Sequence, residues 1–314
     1  MADLPKKYHK KGPTYYFVEN NKWIPVGRTI RDVYLHAAKQ EIPAEIKTMS
    51  QAINRYKAEI LPSKADSTQK NYLFMLDKIE KVFGQMDVKM ITHEDVCQFH
   101  DRLSRKAKTS ANRHIEVISV LYKYLRRWAG TRENPAEGVI MNPEKPDKRY
   151  ISDYEIQLAH SVASERDKLI IEMLYYSGQR LNDVLKMEWS HLNETGIDVD
   201  QGKTGAELTI KWSPALRSVI KKAKEYRGNV LSRWIFPSED AQKLTVNGMQ
   251  NNWRRLIKRA EKADKTGEFN RFNIRQIRAK ARTDGKDKYL LGHADPDKMA
   301  RVYYRKRRVV EPIA

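Results

Sequence analysis

The chain has 314 residues, which is enough for two or three domains with a sizeable buried core. It carries 60 Lys and Arg against 40 Asp and Glu, a formal net charge of +20. This excess favours polyanionic partners, with nucleic acid as the first candidate and an anionic membrane surface as the second.

Several classes of protein are excluded by what the sequence lacks. No apolar run approaches the roughly 20 residues of a membrane-spanning helix. A single cysteine excludes an internal disulfide framework and predicts a reducing, cytoplasmic location. No zinc-ligand spacing and no P-loop pattern is present, so we expect neither a metal nor a nucleotide cofactor.

Residues 1–45 are expected to form a small basic unit. TYYFVENNKWIPVG predicts two strands around the turn at Glu19, Asn20 and Asn21, and IRDVYLHAAKQ has helical spacing. Two interpretations stay open: an appendage packed on the main body, or an accessory DNA-binding unit. The basic residues that favour the second are Lys6, Lys7, Lys10, Lys11 and Arg28.

Residues 46–142 are predicted to form a compact domain of four helices. Ser67 and Thr68 are the expected N-terminal caps of the second helix, which Gly84 ends, and Thr92 is the expected cap of the third. Four basic residues, Arg105, Lys106, Lys108 and Arg113, surround the start of the last helix. A helix N-terminus with such neighbours can bind DNA phosphates, although a solvated charged loop is the commoner outcome.

The boundary between this domain and residues 143–314 is expected within a proline-rich polar stretch, ENPAEGVIMNPEKPDKRY. Ser152 and Glu155 form the S-x-x-E pattern of a capping box, so the first helix of the second domain is expected to begin there. Helices with a few strands are expected to follow.

Two stretches of this domain place a basic side chain at a turn. In LYYSGQRLNDVL one helix ends before Gly178 and another begins near Arg180, so Arg180 and Asp183 lie on one side of it. A braced arginine can hold a phosphate oxygen through its fork, but such pairs are also common surface salt bridges. GIDVDQGKTGAELTIKW alternates as a β-hairpin with Lys203 at its tip, which is either a proton donor or a solvated lysine.

Two later stretches add further candidates. FNIRQIRAKART predicts a helix on which Arg275 and Arg278 are three residues apart, so their guanidinium groups can converge. LLGHADPDKMARVYYRKRR contains His293 and, ten and eleven residues later, Tyr303 and Tyr304. This stretch is either a solvated basic helix or the carrier of a hydroxyl that attacks a phosphate.

Taken in order, the Arg of SGQR, the KTG of the hairpin, RQIR, LGH and the final tyrosines resemble the signature of the tyrosine recombinase (phage integrase) family. Each motif is weak alone, and their shared order makes the resemblance specific. It covers about residue 48 to the C-terminus. It implies a multidomain, mainly α-helical fold with small β elements: a helical, SAM-like core-binding domain at 46–142 and a mixed α+β catalytic domain at 143–314.

The resemblance also implies a role for each candidate. Arg180 and Arg278 would clamp the scissile phosphate, Lys203 would be the general acid, and His293 would hydrogen-bond a phosphate oxygen. Tyr303 would be the nucleophile, because ARVYYRK resembles the ERVYRRK ending of related phage integrases.

The reaction so implied is transesterification of double-stranded DNA at attachment sites through a 3′-phosphotyrosyl link, without metal or ATP. The family works as a homo-oligomer on DNA, a tetramer in the synaptic complex. A member would act in the cytoplasm of a bacterial host, on the nucleoid.

One position departs from the family pattern. Arg275 stands where the family usually has a histidine, and arginine cannot lose a proton near neutral pH, so it enters the predicted site as a cationic donor. Two alternatives stay open: a type IB topoisomerase-like enzyme, and a DNA-binding protein of the same fold without catalysis.

Neighbouring residues on a helix are about 100° apart, so only one of Tyr303 and Tyr304 can face a given phosphate. We expect Tyr303→Phe to abolish the covalent adduct with a nicked duplex and Tyr304→Phe, the matched control, to retain it, because phenylalanine removes only the hydroxyl. Mass spectrometry of the trapped peptide locates the nucleotide. A nucleotide on Tyr304 would overturn the assignment, and one on neither residue would overturn the mechanism.

Overall fold

The computed structural model describes residues 4–40, 46–144, 149–228, 231–285 and 291, with residues 38–40 described by backbone alone. The chain divides into two compact units, Met1–Lys145 and Pro146–Ala314. In their described residues both are mainly helical with one small sheet each, which confirms the expected fold class. None of the helices in the described ranges combines the length and the apolar character that a membrane span requires.

The first unit begins with an antiparallel sheet and a helix: β1 (Tyr8–Lys11), β2 (Thr14–Glu19), β3 (Lys22–Gly27) and α1 (Ile30–Gln40). The two predicted strands and the helix are confirmed. Strand β1 was not predicted, because YHKK shows no apolar alternation. Tyr8, Phe17 and Val33 form the small core between the sheet and α1.

Four further α-helices follow in this unit: α2 (Met49–Glu59), α3 (Asp66–Phe83), α4 (His93–Ser104) and α5 (Lys108–Trp128). Their apolar stripes meet in one core. The predicted cap at Thr92 is confirmed, as a capping box with Asp95. The predicted caps at Ser67 and Thr68 are wrong: α3 begins earlier, at Asp66, and both residues lie inside its first turn.

The segment that follows α5 is held against α4 and α5 by Asn142. Its Nδ2 lies 2.7 Å from Ser104 Oγ and 3.0 Å from His100 Nε2. Its backbone carbonyl accepts a hydrogen bond from Asn112 Nδ2 at 2.9 Å. His100 and Asn112 are buried, so these contacts satisfy polar groups that water cannot reach.

The second unit contains six α-helices and one hairpin among its described residues. They are α6 (Asp153–Ser161), α7 (Glu165–Ser177), α8 (Leu181–Val184), β4 (Gly196–Asp200), β5 (Glu207–Lys211), α9 (Pro214–Arg227), α10 (Val246–Ala263) and α11 (Ile274–Asp284). The capping box of Ser152 and Glu155 is confirmed at the start of α6. The predicted hairpin is confirmed, with Val199 opposite Leu208.

A buried lysine joins the start of this unit to α11. Lys280 is 1% exposed, and its Nζ lies 2.6 Å from Asp153 Oδ1, 2.7 Å from the Tyr150 hydroxyl and 3.1 Å from Asp284 Oδ2. Burial raises the pKa of Asp284, but hydrogen bonds from Tyr150, Tyr175 and Lys280 outweigh it and hold that pKa below its usual value. The cluster therefore fixes the helix that carries Arg278.

Removing the lysine should leave the Ile151 carbonyl and the Asp284 carboxylate, which is 19% exposed, without their donor. We expect Lys280→Met to lower the free energy of unfolding by about 1–3 kcal/mol, because these groups lose charge-assisted hydrogen bonds, whereas water can replace the partner of Asp153, which is 75% exposed. Urea titration followed by circular dichroism measures the loss. The control is Lys221→Met on α9, whose side chain is 80% exposed, with an expected change within about 0.5 kcal/mol. Equal stability of the two variants would contradict the assignment.

Candidate active site

The turn between α7 and α8 depends on a glycine. Gly178 ends α7 in the left-handed region, at φ 63°, which side chains with a β-carbon rarely adopt. The chain then reverses, and Arg180 becomes the residue that precedes α8. The sequence prediction of a helix break at Gly178 and a new start near Arg180 is therefore confirmed.

Arg180 is held mainly by a glutamine that the sequence did not single out. Its Nη1 donates to Gln201 Oε1 at 2.7 Å and lies 3.8 Å from Asp183 Oδ2. The predicted pair with Asp183 exists, but at a distance longer than a hydrogen bond. Asp183 also accepts from the Gly202 backbone N–H at 3.4 Å, so it braces both the arginine and the hairpin.

Gln201 is fully buried at the end of β4. Its Nε2 donates to Gln179 Oε1 at 2.6 Å and to the Leu291 carbonyl at 2.9 Å. Its Oε1 accepts from Arg180 and from Thr204 Oγ1, the latter at 2.8 Å. One amide thus uses both donors and both acceptor positions, and joins the turn, the hairpin and the LLGH motif.

Arg278, on α11, donates to the same carbonyl. It is 4% exposed, and its Nη1 and Nη2 donate at 2.7 Å to the carbonyls of Gly178 and Leu291. Neutral carbonyls fix the orientation of a guanidinium without cancelling its charge. Arg180 and Arg278 are therefore connected through Gln201 and Leu291, although they are far apart in sequence.

Lys203 lies at the exposed tip of the hairpin. Backbone hydrogen bonds of 2.8 Å, from Gln201 N to Ala206 O and from Gly205 N to Gln201 O, close the tip. Gly205 has a φ of +66°, which the tight turn requires. Within the described residues the Lys203 side chain makes no hydrogen bond or ion pair, so it extends from a braced base into solvent.

Arg275 and Arg278 occupy different environments on α11. Arg275 is exposed on the first turn and makes no hydrogen bond or ion pair with the described part of the chain, whereas Arg278 is buried one turn later. Their expected convergence is not visible in these contacts. His293 and Tyr303, with its neighbour Tyr304, lie outside the described residues.

Of the four predicted DNA-binding residues, three are free of ion pairs with described residues and one is paired with carboxylates. Arg105, Lys106 and Lys108 are exposed and form no ion pair with any described residue. Arg113 is paired with Glu116 and, at 3.0 Å, with Glu144. The carboxylates therefore compete with a phosphate at Arg113 only.

Sequence reasoning missed Gln179 and Gln201. Both are buried, and both lie beside a predicted residue: Gln179 immediately before Arg180, and Gln201 two residues before Lys203. The available signal was the position of each glutamine: Gln179 directly precedes a predicted clamping arginine, and Gln201 lies where strand β4 meets the hairpin tip.

Sequence comparison matches two families to the two parts of the chain. Residues 149–308, more than half of the chain, match the Phage integrase family, and residues 53–128 match the Phage integrase, N-terminal SAM-like domain. The family matches thus include His293 and Tyr303 as well as the described site.

The individual relatives share only about a quarter of their aligned residues with this chain. The Tyrosine recombinase XerC of Leptospira interrogans serogroup Icterohaemorrhagiae serovar copenhageni is 26% identical over an alignment of 182 residues that covers 53% of this chain and 58% of the relative. The chain thus spans little more than half the length of that relative.

Two solved structures share the fold. A lambda integrase dimer bound to a COC′ core site has a TM-score of 0.72 and 18% identity over 99% of both chains. A lambda integrase tetramer bound to a Holliday junction has a TM-score of 0.69 and 17% identity over 94% of this chain and 98% of that one. With the match across residues 149–308, the ordered motifs and this shared fold, the chain belongs to the phage integrase family of tyrosine recombinases.

Proposed function

We propose that this protein is a site-specific DNA recombinase that cleaves and rejoins strands through a covalent 3′-phosphotyrosyl intermediate. The observation that carries the proposal is the connection of Arg180 and Arg278 through Gln201 and the Leu291 carbonyl. It links two cations from distant parts of the sequence through one carbonyl, which lies two residues before His293. A single phosphodiester between them would meet both.

The proposed reaction is a transesterification. The Tyr303 hydroxyl attacks the phosphorus, a bond from phosphorus to the tyrosine oxygen forms, and the bond to the 5′ oxygen breaks. Lys203 donates a proton to that leaving oxygen, and the tyrosine proton passes to solvent. The free 5′-hydroxyl of another strand later reverses the step, so the bond energy is kept and no cofactor is consumed.

The arginines would act on the charge of the phosphate. Negative charge accumulates on the non-bridging oxygens as tyrosine attacks, and preorganised donors stabilise it most effectively in a site shielded from water. Arg278 is buried and oriented by neutral carbonyls, so its charge remains available. His293 and the exposed Arg275 would add donors, with Arg275 unable to act as a base.

The proposed partner is duplex DNA at attachment sites, in the cytoplasm of a bacterial host. The net charge of +20 and the exposed Arg105, Lys106 and Lys108 support a core-binding domain at 46–142 ahead of a catalytic domain at 143–314. The DNA-bound dimer and tetramer of the fold relatives support assembly as a homo-oligomer, a tetramer at synapsis.

We also propose that residues 1–45 form an accessory DNA-binding unit. On the face of the sheet opposite α1, Trp23 is 52% exposed and lies 5.6 Å from the His9 ring and 5.7 Å from the Tyr16 ring. Lys11 Nζ lies 5.9 Å above Trp23. An exposed aromatic with a neighbouring cation suits contact with bases and phosphates better than packing on a protein core.

The two alternative functions predict different experimental outcomes. A type IB topoisomerase-like enzyme would relax supercoiled DNA of any sequence, and a non-catalytic binding protein would form no adduct. A nicked duplex that traps the cleaved state separates all three, because only a recombinase both forms the adduct and requires its own attachment site.

The arginine clamp predicts a separation of cleavage from binding. We expect Arg180→Ala and Arg278→Lys to slow adduct formation by about 10²–10³-fold, the usual cost of losing one preorganised donor. Duplex affinity should stay near that of the wild type, because many other basic residues contact the backbone. Arg278→Lys keeps the buried charge and so protects folding.

The matched control is Arg217→Ala on α9, whose guanidinium lies over Trp212 at 4.9 Å. It should cleave at the wild-type rate. Loss of duplex binding as complete as the loss of cleavage, in either clamp variant, would contradict a catalytic role.

Gln201 should act through Arg180 as a positioning residue. We expect Gln201→Met to lower the free energy of unfolding by about 1–3 kcal/mol, because its buried partners lose their hydrogen bonds. It should also slow adduct formation. On an Arg180→Ala background it should slow the reaction much less, since the two residues share one contact. Rate losses that multiply fully in the double variant would show that Gln201 acts elsewhere.

A further inference from the structure

The start of α5 holds an anion that the chain itself supplies. Glu144 lies on the segment that follows α5, and its carboxylate returns to the helix that the segment left. Asn112 Nδ2 donates to Glu144 Oε1 at 2.8 Å, and Arg113 Nη2 lies 3.0 Å from Glu144 Oε2. The two donors are adjacent on α5, and each takes one oxygen of the carboxylate. Asn112 and Arg113 thus form an anion site, and Glu144 occupies it.

An anchored backbone keeps Glu144 in this site. Two residues earlier, the Asn142 backbone N–H donates to Asn112 Oδ1 at 2.9 Å, and the Asn142 carbonyl accepts from Asn112 Nδ2 at the same distance. The Asn142 side chain donates to Ser104 Oγ at 2.7 Å. Asn112 is 3% exposed, so water competes little for these bonds. A carboxylate tethered so close to its anchor meets Arg113 at a high effective concentration.

Arg113 nevertheless remains accessible to an anion from solution. Its side chain is 49% exposed, and that of Glu144 is 36% exposed. Arg113 also pairs with Glu116, three residues later on α5, so two carboxylates surround one guanidinium. Its basic neighbours form no ion pair with any described residue: Arg105, Lys106 and Lys108. Glu144 therefore covers one member of a basic group whose other three members are open to an anion.

We propose that Glu144 is an autoinhibitory counter-ion: it occupies the position of a DNA phosphate at Arg113, and duplex DNA must displace it. This inference rests on the proposed function, which brings a duplex to the start of α5. Carboxylates and phosphates bind arginine through the same guanidinium fork, so the two anions compete for one donor group. The chain thereby lowers its own affinity for duplex DNA.

The test is the affinity of Glu144→Gln for a labelled random-sequence duplex, measured by fluorescence anisotropy at physiological salt. A random sequence suffices, because phosphate contacts carry no sequence information. Glutamine removes the charge of Glu144 but keeps an oxygen that can accept from Asn112 Nδ2, so the segment stays anchored. We expect binding to tighten about 2- to 5-fold, the change in an equilibrium constant that one exposed ion pair produces.

Two controls separate competition at Arg113 from a general change of charge. Glu137→Gln makes the same charge change on the same segment, at an exposed residue that forms no ion pair with the described part of the chain. Exposed charges are screened beyond about 8 Å at this salt, so Glu137→Gln should bind like the wild type. On an Arg113→Ala background Glu144→Gln should lose its effect, because no guanidinium remains to be released.

Equal tightening by Glu144→Gln and Glu137→Gln, or tightening that persists without Arg113, would overturn the proposal. Weaker binding by Glu144→Gln would overturn it as well, because the carboxylate would then support the duplex contact. In either case a covalent adduct formed by wild-type protein leaves the recombinase function standing. If Glu144→Gln tightens binding as expected but wild-type protein never forms an adduct, the counter-ion stands and the proposed chemistry is wrong. Failure of wild-type protein to bind duplex at low salt would overturn both.

Discussion

The carbonyl of Leu291 is the point on which the rest of the site depends. It accepts hydrogen bonds from Gln201 Nε2 and from Arg278 Nη2, at 2.9 and 2.7 Å, in a buried environment. Buried donors are costly to leave unsatisfied, so the hairpin, the α7–α8 turn and α11 are each required to keep their places. Arg180 joins this arrangement through Gln201. The hydrogen bonds that stabilise the second unit therefore also orient the cations proposed to act on DNA.

Residues outside the site also both stabilise the fold and support Arg278. Lys280 lies on the helix that carries Arg278, and it donates hydrogen bonds to Ile151 and Asp153 at the start of the second unit. Gly178 both ends α7 and supplies a carbonyl to Arg278. Substitutions in these supports should thus affect folding and the site together, which is why variants that keep charge or volume are the informative ones.

Local features of the fold were predictable from the sequence, because their causes lie within a few residues. Thr92 and Ser152 cap helices through residues three positions later, and the alternation on either side of Lys203 specifies a hairpin. Strand β1 was missed because its residues are basic and aromatic without alternation, and it forms only by pairing with β2. Ser67 and Thr68 were plausible caps, but α3 extends past them to Asp66.

The connections within the site could not be predicted in this way. Gln201 contacts Gln179, Arg180 and Leu291, and which distant residues meet a buried amide is decided by the packing of the whole unit. Arg275 and Arg278 were expected to converge from their spacing alone, yet one is exposed and the other buried. Resemblance to a family supplied the roles, and the structure supplied the groups that hold Arg180 and Arg278 in place.

The central claim is that Arg180 and Arg278 hold one phosphate. A structure of the protein on a nicked duplex that traps the cleaved state tests it most directly. The account predicts that both guanidinium groups lie within hydrogen-bond distance of the same phosphate, with Gln201 still bonded to Arg180 and to the Leu291 carbonyl. Contacts from the two arginines to different phosphates, or an Arg278 that keeps both carbonyls and reaches no phosphate, would contradict it.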